Sequence, residues 1–215
     1  MSKLRWISLG LLAMLAPLSV YLLVVANGPD FDIEYSREIP SKLSVTYLGK
    51  VLGDIQSWPT WFHSAVQADQ VDFSETPYPI ADQKVVAGAR IRLALDVHRP
   101  HGKSNLFLGV LQYVPAQRLS LRVLKDSKSS LTHLFEPLDW TLELTPVPGT
   151  QGKPESSLIK GTVKARTHSW RARVFGKIAA KALLNQVFYP DLFILAEINN
   201  PDVVYPDPDA QHGGM

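Results

Sequence analysis

Residues 169–199, SWRARVFGKIAAKALLNQVFYPDLFILAEIN, are the last long run with helical character. The chain before it, from about Phe31 to Thr167, is mostly strand-like, and a sheet with one apolar face needs a cover. Ser169 is an acceptable N-cap. Trp170, Val174, Phe175, Ile178, Ala179 and Ala182 recur at spacings that keep one stripe apolar for about three turns. Arg173, Lys177 and Lys181 form a cationic row on another side. From Leu183 the register changes, and Leu183, Leu184, Val187 and Phe188 fall largely on the opposite side of the wheel. Pro190 lacks a backbone donor and predicts a kink or a restart, with Asp191 favourably placed in the new first turn. On this reading the first half of the helix fills a curved sheet, and the second half carries apolar surface left over.

Outward from this helix, the chain of 215 residues divides into three parts. Residues 1–27 read as an N-terminal membrane anchor, 28–199 as one folded domain, and 200–215, rich in Pro, Asp and Gly, as a disordered tail. A net charge of +2 gives no motive for a nucleic-acid partner. The absence of cysteine excludes disulfides, thiolate metal sites, a thiol nucleophile and lipid attachment through sulfur.

Trp6 to Ala26 contains no charged residue. About 20 helical residues cross a hydrocarbon core of about 30 Å, so the run is long enough to span. Lys3 and Arg5 before it, and Asp30, Asp32 and Glu34 after it, place the N-terminus in the cytoplasm and the domain on the outer, periplasmic side. The alternative is a secretory signal cut near Val24-Val25-Ala26, leaving a periplasmic or secreted domain. The run exceeds the roughly 7–15 apolar residues usual for such a signal, which favours the uncleaved anchor.

Phe31–Ile39 alternates apolar and polar, as a strand with one buried face does. Arg37 falls on its apolar face, either snorkelling at the sheet end or standing as a cation at a pocket mouth. Pro40-Ser41 predicts a helix start, with Leu43, Tyr47, Leu48 and Val51 inward and Gly53-Asp54 as its stop. Pro59 suits a short helix, beside which Trp58, Trp61 and Phe62 supply aromatic area to close one end of a core. Strands follow over about Ala65–Phe73, Ala89–Val97 (Ile91, Leu93, Leu95 and Val97 on one face), Ser104–Val114 and Leu119–Val123. The last two are predicted within His133–Thr145 (Trp140, Leu142, Leu144 inward) and over Leu158–Thr167 (Ile159, Val163, Ala165 inward). Ser74–Asp82 and Pro146–Pro154 read as loops and His98–Lys103 as a hairpin turn. The order is strand, two short helices, about six strands, one long helix. That is α+β, an antiparallel sheet with the helix on its concave face.

Several short runs carry a family likeness. Tyr35-Ser-Arg-Glu-Ile-Pro40 followed by a helix and Trp58-Pro-Thr-Trp61, then Val114-Pro-Ala-Gln-Arg-Leu119, Trp140-Thr-Leu-Glu-Leu-Thr-Pro146 and the helix from Trp170, resemble the START-like (SRPBCC) superfamily. That group includes polyketide cyclase/dehydrase and lipid-transport proteins. The likeness covers roughly Phe31–Asn199 and implies a helix-grip fold with an apolar cavity between helix and sheet. Gln151–Ser157 departs from it as a lengthened hairpin.

The residues carry little chemistry of their own. His98-x-x-His101 has ligand-like spacing, but Arg99 and Lys103 oppose a cation there. His63, His133 and His168 have no sequence relation that brings them together. There is no nucleophile elbow, phosphate loop or dinucleotide fingerprint, so no catalytic residue, metal or cofactor is assigned. Through the resemblance, Trp58, Trp61, Leu93, Leu95, Phe107, Tyr113, Phe135, Trp140, Val163, Val174, Phe175 and Ile178 become candidate lining for a lipid-like ligand. Shielding about 300 Å² of ligand hydrocarbon, at roughly 25 cal/mol per Å², contributes about 7 kcal/mol before the costs of binding. Three functions follow as expectations. The first is a membrane-anchored domain that binds or transfers a hydrophobic small molecule, with Arg171, Arg173, Lys177 and Lys181 drawn to anionic headgroups. The second is a cyclase or dehydratase-like enzyme using Arg37, His98, Glu136 or Asp139. The third is a protein-interaction module presenting Leu184, Val187 and Phe188.

Overall fold

A computed structural model describes residues 17, 19–71, 84–97, 102–127, 131–149 and 156–198. The described part of the first helix, residues 19–26 (α1), precedes β1 (Asp32–Ser41), α2 (Val45–Gly53), a 3-10 helix (Ile55–Thr60) and β2 (Ala65–Val71). Then come β3 (Arg90–Val97), β4 (Gly102–Val114), β5 (Arg118–Asp126), β6 (Phe135–Val147), β7 (Ser156–Thr167) and α3 (Trp170–Glu197). Every strand pairs antiparallel, in the order β1-β7-β6-β5-β4-β3-β2. The expected element order and sheet are therefore found. The predicted loop at Ser74–Asp82, the His98-x-x-His101 pair, the tail and most of the predicted span lie outside the described residues, as does most of the lengthened hairpin.

Alternation explains the sheet. Ile91 and Leu93 on β3, Leu119, Leu121 and Val123 on β5, Trp140, Leu142 and Leu144 on β6, and Ile159, Val163 and Ala165 on β7 are buried on one face. The other face carries cross-strand ion pairs: Arg122 grips Asp139 at 2.7 and 2.8 Å, Arg92 meets Asp69 at 2.7 Å, and Arg118 pairs with Glu143. Cross-strand pairs of opposite charge favour this register.

The helical connection is tightly specified. Ser44 rather than Ser41 caps α2, its Oγ accepting from the Tyr47 N–H at 3.2 Å. Asp54 ends α2 through its own N–H, which donates to the Lys50 carbonyl. It then opens the 3-10 helix, its Oδ1 accepting from the Gln56 N–H at 3.1 Å. At Gly49 a Cβ would lie 2.7 Å from the Ala116 Cα, so α2 can cross the β4–β5 turn only with glycine there.

The long helix corrects the sequence reading. Gly176 has φ 72° and ψ 166°, a conformation open essentially to glycine alone, and it breaks α3 into two pieces. The apolar stripe traced through residues 170–182 as one helix therefore crosses a break and loses its phase. Ile178 is 88 % exposed, Phe175 65 % and Trp170 55 %, whereas Leu184 is fully buried and Phe188 nearly so. Ala180, Leu184, Phe188, Asp191, Leu192 and Leu195 form the stripe that meets the sheet. The helix runs on through Pro190 without the expected restart. Three hydrogen bonds hold it down: Tyr35 OH donates to the Leu184 carbonyl (2.8 Å), Ser41 Oγ to the Ala196 carbonyl (2.7 Å), and the His63 N–H to Asp191 Oδ1 (2.5 Å).

At its start α3 meets the N-terminal segment. Arg173 Nε donates to the Ala26 carbonyl at 2.9 Å, and its Nη1 bonds Asp30 at 2.8 Å. Residues 20–24 of α1 are exposed and apolar. Among the described residues, the one helix long and apolar enough to cross a membrane is α3 itself, the helix that covers the sheet.

Candidate functional site

Between the second piece of α3 and the sheet lies a cavity of about 660 Å³. Its apolar wall comes from Leu95 (β3), Leu106 (β4), Val123 (β5), Leu134, Val187 and Phe188. α3 packs on β1 and β7, and the cavity lies beside that contact, over β3, β4 and β5. A second hollow of about 340 Å³ runs along the first part of α3, lined by Phe135, Ala172, Phe175, Ala179 and Ala180. The two share Leu134, Leu183 and Gln186 in their walls and therefore adjoin. Small residues on α3 open the second hollow: alanines stand where longer side chains would fill it.

One end of the cavity is closed by stacked rings. Trp58–Trp61, Trp61–Phe62, Trp61–Trp140, Phe62–Trp140 and Trp140–Phe188 have centroids between 5.2 and 6.0 Å apart, tilted or edge-on. Phe62 and Phe188 face the cavity; Trp58, Trp61 and Trp140 stand behind them as solid core.

The predicted lining residues thus separate. Leu95 lines the main cavity, and Phe135 and Phe175 line the adjoining hollow. Trp58, Trp61, Leu93, Trp140 and Val163 are buried in packed core. Val174 is half-buried at the helix start. Phe107 is half-buried on the outer face, opposite Arg92 and Lys125, and Tyr113 reaches the Gly49 carbonyl at 3.3 Å. Ile178 points away from the sheet because of the break at Gly176. Leu106, Val123, Leu131 and Leu134 were not singled out as lining, although strand alternation marks the first two as inward, and Val187 was read only as leftover apolar surface.

The polar groups in the wall are few. His63, Ser64, Ser104, Asp126, Gln186 and Asp191 are there, with no Lys or Arg among the described lining residues. Asp191 is 2 % exposed and accepts from the His63 N–H. Burial drives its carboxyl well above the usual carboxylate range, and the single backbone hydrogen bond only partly opposes this. Ser64, beside His63, holds a left-handed φ of 64°, which turns the chain at the cavity rim. The sequence reading placed Asp191 in the first turn of a restarted helix. Its position within the 184–188–191–195 stripe was the signal that it faces inward.

Of the four residues considered for catalysis, the three that are described do not meet here. Arg37 is exposed, its guanidinium 5.6 Å from the Tyr189 ring centroid. Glu136 is exposed and 3.7 Å from His168, Asp139 is held by Arg122 on the outer face, and His98 is outside the described residues. No group of three metal-ligating side chains occurs among the described residues, and His63, His133 and His168 do not converge. Of the surface offered by the interaction-module reading, Leu184 and Phe188 are buried inside the domain, and Val187 is half-buried in the cavity wall. A larger hollow of about 890 Å³ beside the β4–β5 turn carries Glu143 paired with both Arg118 and Lys160, and its wall is polar and apolar in about equal measure.

Compared by sequence, no protein-family model and no curated protein matches this chain. Compared by structure, it is similar to a START superfamily protein from Mycobacterium smegmatis, with 10 % identity and a TM-score of 0.52 over 76 % of this chain and 94 % of that one. It is also similar to norcoclaurine synthase from Thalictrum flavum, solved with dopamine and hydroxybenzaldehyde, with 9 % identity and a TM-score of 0.55 over 82 % and 91 %. A third likeness is ginseng major latex-like protein 151 from Panax ginseng, with 8 % identity and a TM-score of 0.51 over 75 % and 96 %. The expected resemblance is thereby found at the level of structure: the chain has the START-like, helix-grip fold.

Proposed function

We propose that this protein is a membrane-tethered domain that binds or carries a hydrophobic small molecule in the space between α3 and the sheet. The observation that carries the reading is the 660 Å³ cavity, whose walls are mostly aliphatic and aromatic and which adjoins a second apolar hollow. Enclosures of a few hundred Å³ with such walls are what lipid-sized ligands require.

The tether is supported by what surrounds the start of α3. Arg173 holds Ala26 and Asp30 against it, so the charge-free run Trp6–Ala26 ends beside exposed Trp170, Phe175 and Ile178. Arg171, Lys177 and Lys181 are exposed on the same helix, the charges that anionic headgroups attract. Phe175 belongs both to this surface and to the wall of the second hollow, which supports entry of a ligand from the membrane side. The flanking charges favour a cytoplasmic N-terminus and a periplasmic domain.

The test is to extract the full chain from membranes in mild detergent and analyse its organic extract beside that of Val187→Trp, which places an indole in the cavity wall. A near-stoichiometric apolar compound in the wild type and its loss in the variant are expected. The same empty extract from both overturns the binding reading, and release by alkaline carbonate of a shortened product overturns the tether.

A further inference from the structure

The cavity wall is mostly apolar, and polar side chains reach it from three separate parts of the chain besides Gln186. Asp191 comes from α3, His63 and Ser64 from the loop after the 3-10 helix, and Asp126 and Ser104 from the ends of β5 and β4. Asp191 is the most enclosed of the polar side chains in the cavity wall. Its Oδ1 accepts the His63 N–H, and its carboxyl lies in the wall of the cavity at 2 % exposure. An enclosed carboxyl that lines an open space and takes one backbone donor has hydrogen-bonding capacity left for a ligand.

We propose that Asp191 recognises the polar end of the ligand, and that the ligand is an uncharged amphiphile bearing a hydroxyl, seated with that hydroxyl on Asp191 and its hydrocarbon against Leu106, Val123 and Val187. This rests on the reading that the cavity takes an apolar molecule, and adds which end is recognised and by what.

Three features select that head group. The described wall holds two acidic side chains, one histidine (His63) and no Lys or Arg, so an anionic head such as a fatty-acid carboxylate meets no permanent counter-charge and is costly to desolvate. An ammonium head would require Asp191 ionised, and burial, which pushes its carboxyl upward in pKa, opposes that. A protonated carboxyl both donates and accepts, which is the complement of a hydroxyl. The His63 N–H fixes the carboxyl plane, so the other oxygen is already oriented before the ligand arrives.

The full chain in its membrane should be photolabelled with four probes that share a twelve-carbon chain and a mid-chain diazirine, ending in hydroxyl, carboxylate, ammonium or methyl. Labelled peptides are mapped by mass spectrometry. The ratio of wild type to Asp191→Leu, taken for each probe separately, cancels unequal partitioning into the bilayer. The hydroxyl probe is expected to label the Val187–Phe188 peptide at least tenfold more in wild type than in Asp191→Leu. Asp191→Asn should keep most of that labelling, because an amide also donates and accepts. The methyl probe should label both proteins alike, which shows that the variant is folded and its cavity open. A hydroxyl ratio near one, or a carboxylate or ammonium probe with the larger ratio, overturns the proposal while leaving cavity binding intact. Failure of the methyl probe to label the wild-type cavity overturns both.

Discussion

The carboxylate of Asp191 accepts the backbone N–H of His63, a hydrogen bond spanning 128 positions that ties the middle of α3 to the segment leaving the 3-10 helix. It places an acid inside a core stripe and gives it one partner. The consequences are measurable.

Stability should depend on the protonation of Asp191. Its folded pKa is raised above the unfolded value near 3.8, so the folded state keeps a proton that the unfolded chain has already released. Its contribution is fully present below that unfolded value and is lost as pH rises toward the folded pKa. Asp191→Asn, which retains the acceptor for His63, should therefore gain on the wild type in urea midpoint as pH rises from 4 to 8. A pH-independent difference between the two would refute this.

Tyr35 tests the clamp on α3. Its hydroxyl is pushed upward in pKa chiefly by burial and donates to the Leu184 carbonyl at 2.8 Å. Tyr35→Phe removes that donor without changing the ring and should cost about 1 kcal/mol. For a domain of this size that lowers the thermal midpoint by roughly 2–4 °C, readable by calorimetry.

Leu184 and Ile178 are a matched pair for the orientation of the helix. Leu184→Ala should lose about 2–5 kcal/mol as a cavity-forming change, and Ile178→Ala no more than about 0.5 kcal/mol. Denaturant unfolding of the two variants gives the comparison directly; equal losses would mean the helix is turned the other way.

Gly176→Ala isolates backbone strain. Nothing lies within 4 Å of the Cβ it would add, so any cost is conformational and should be about 1–3 kcal/mol. The same substitution should straighten α3, seen as greater helical ellipticity per residue.

Arg173 is the latch between α3 and the N-terminal segment. Arg173→Ala should hasten cleavage beside Asp30 by an aspartate-directed protease several-fold, while the thermal midpoint moves little, since a partly exposed pair contributes about 1 kcal/mol or less.

Much of this architecture was legible in the strands because their period of two is local. Ile91 and Leu93, or Trp140, Leu142 and Leu144, declare their inward face without reference to anything distant. The helix was legible as a helix but not in phase. A single glycine at 176 is an ordinary residue in a helical pattern, and only its φ reveals that the stripe must be counted afresh beyond it. Trp58, Trp61 and Trp140 show the limit for the site: aromatic identity marks a core, and the ring stacking that takes them away from the cavity is a long-range matter. Asp191 was misplaced because Pro190 suggested a helix start, while the packing that buries it comes from His63 and the sheet.

The pairing of β1 with β7 has a consequence for how the molecule is made. Phe31 and Thr167, which join the two strands at one end, are 136 positions apart, and β1 forms an outer edge of the sheet with β7 as its sheet partner. During synthesis the earliest strand emerges long before its mate exists, so its open edge must be kept from other chains until nearly the whole polypeptide is available. Such distant closure makes assembly slow and late. A nascent chain halted before Thr167 would be the species most in need of a chaperone.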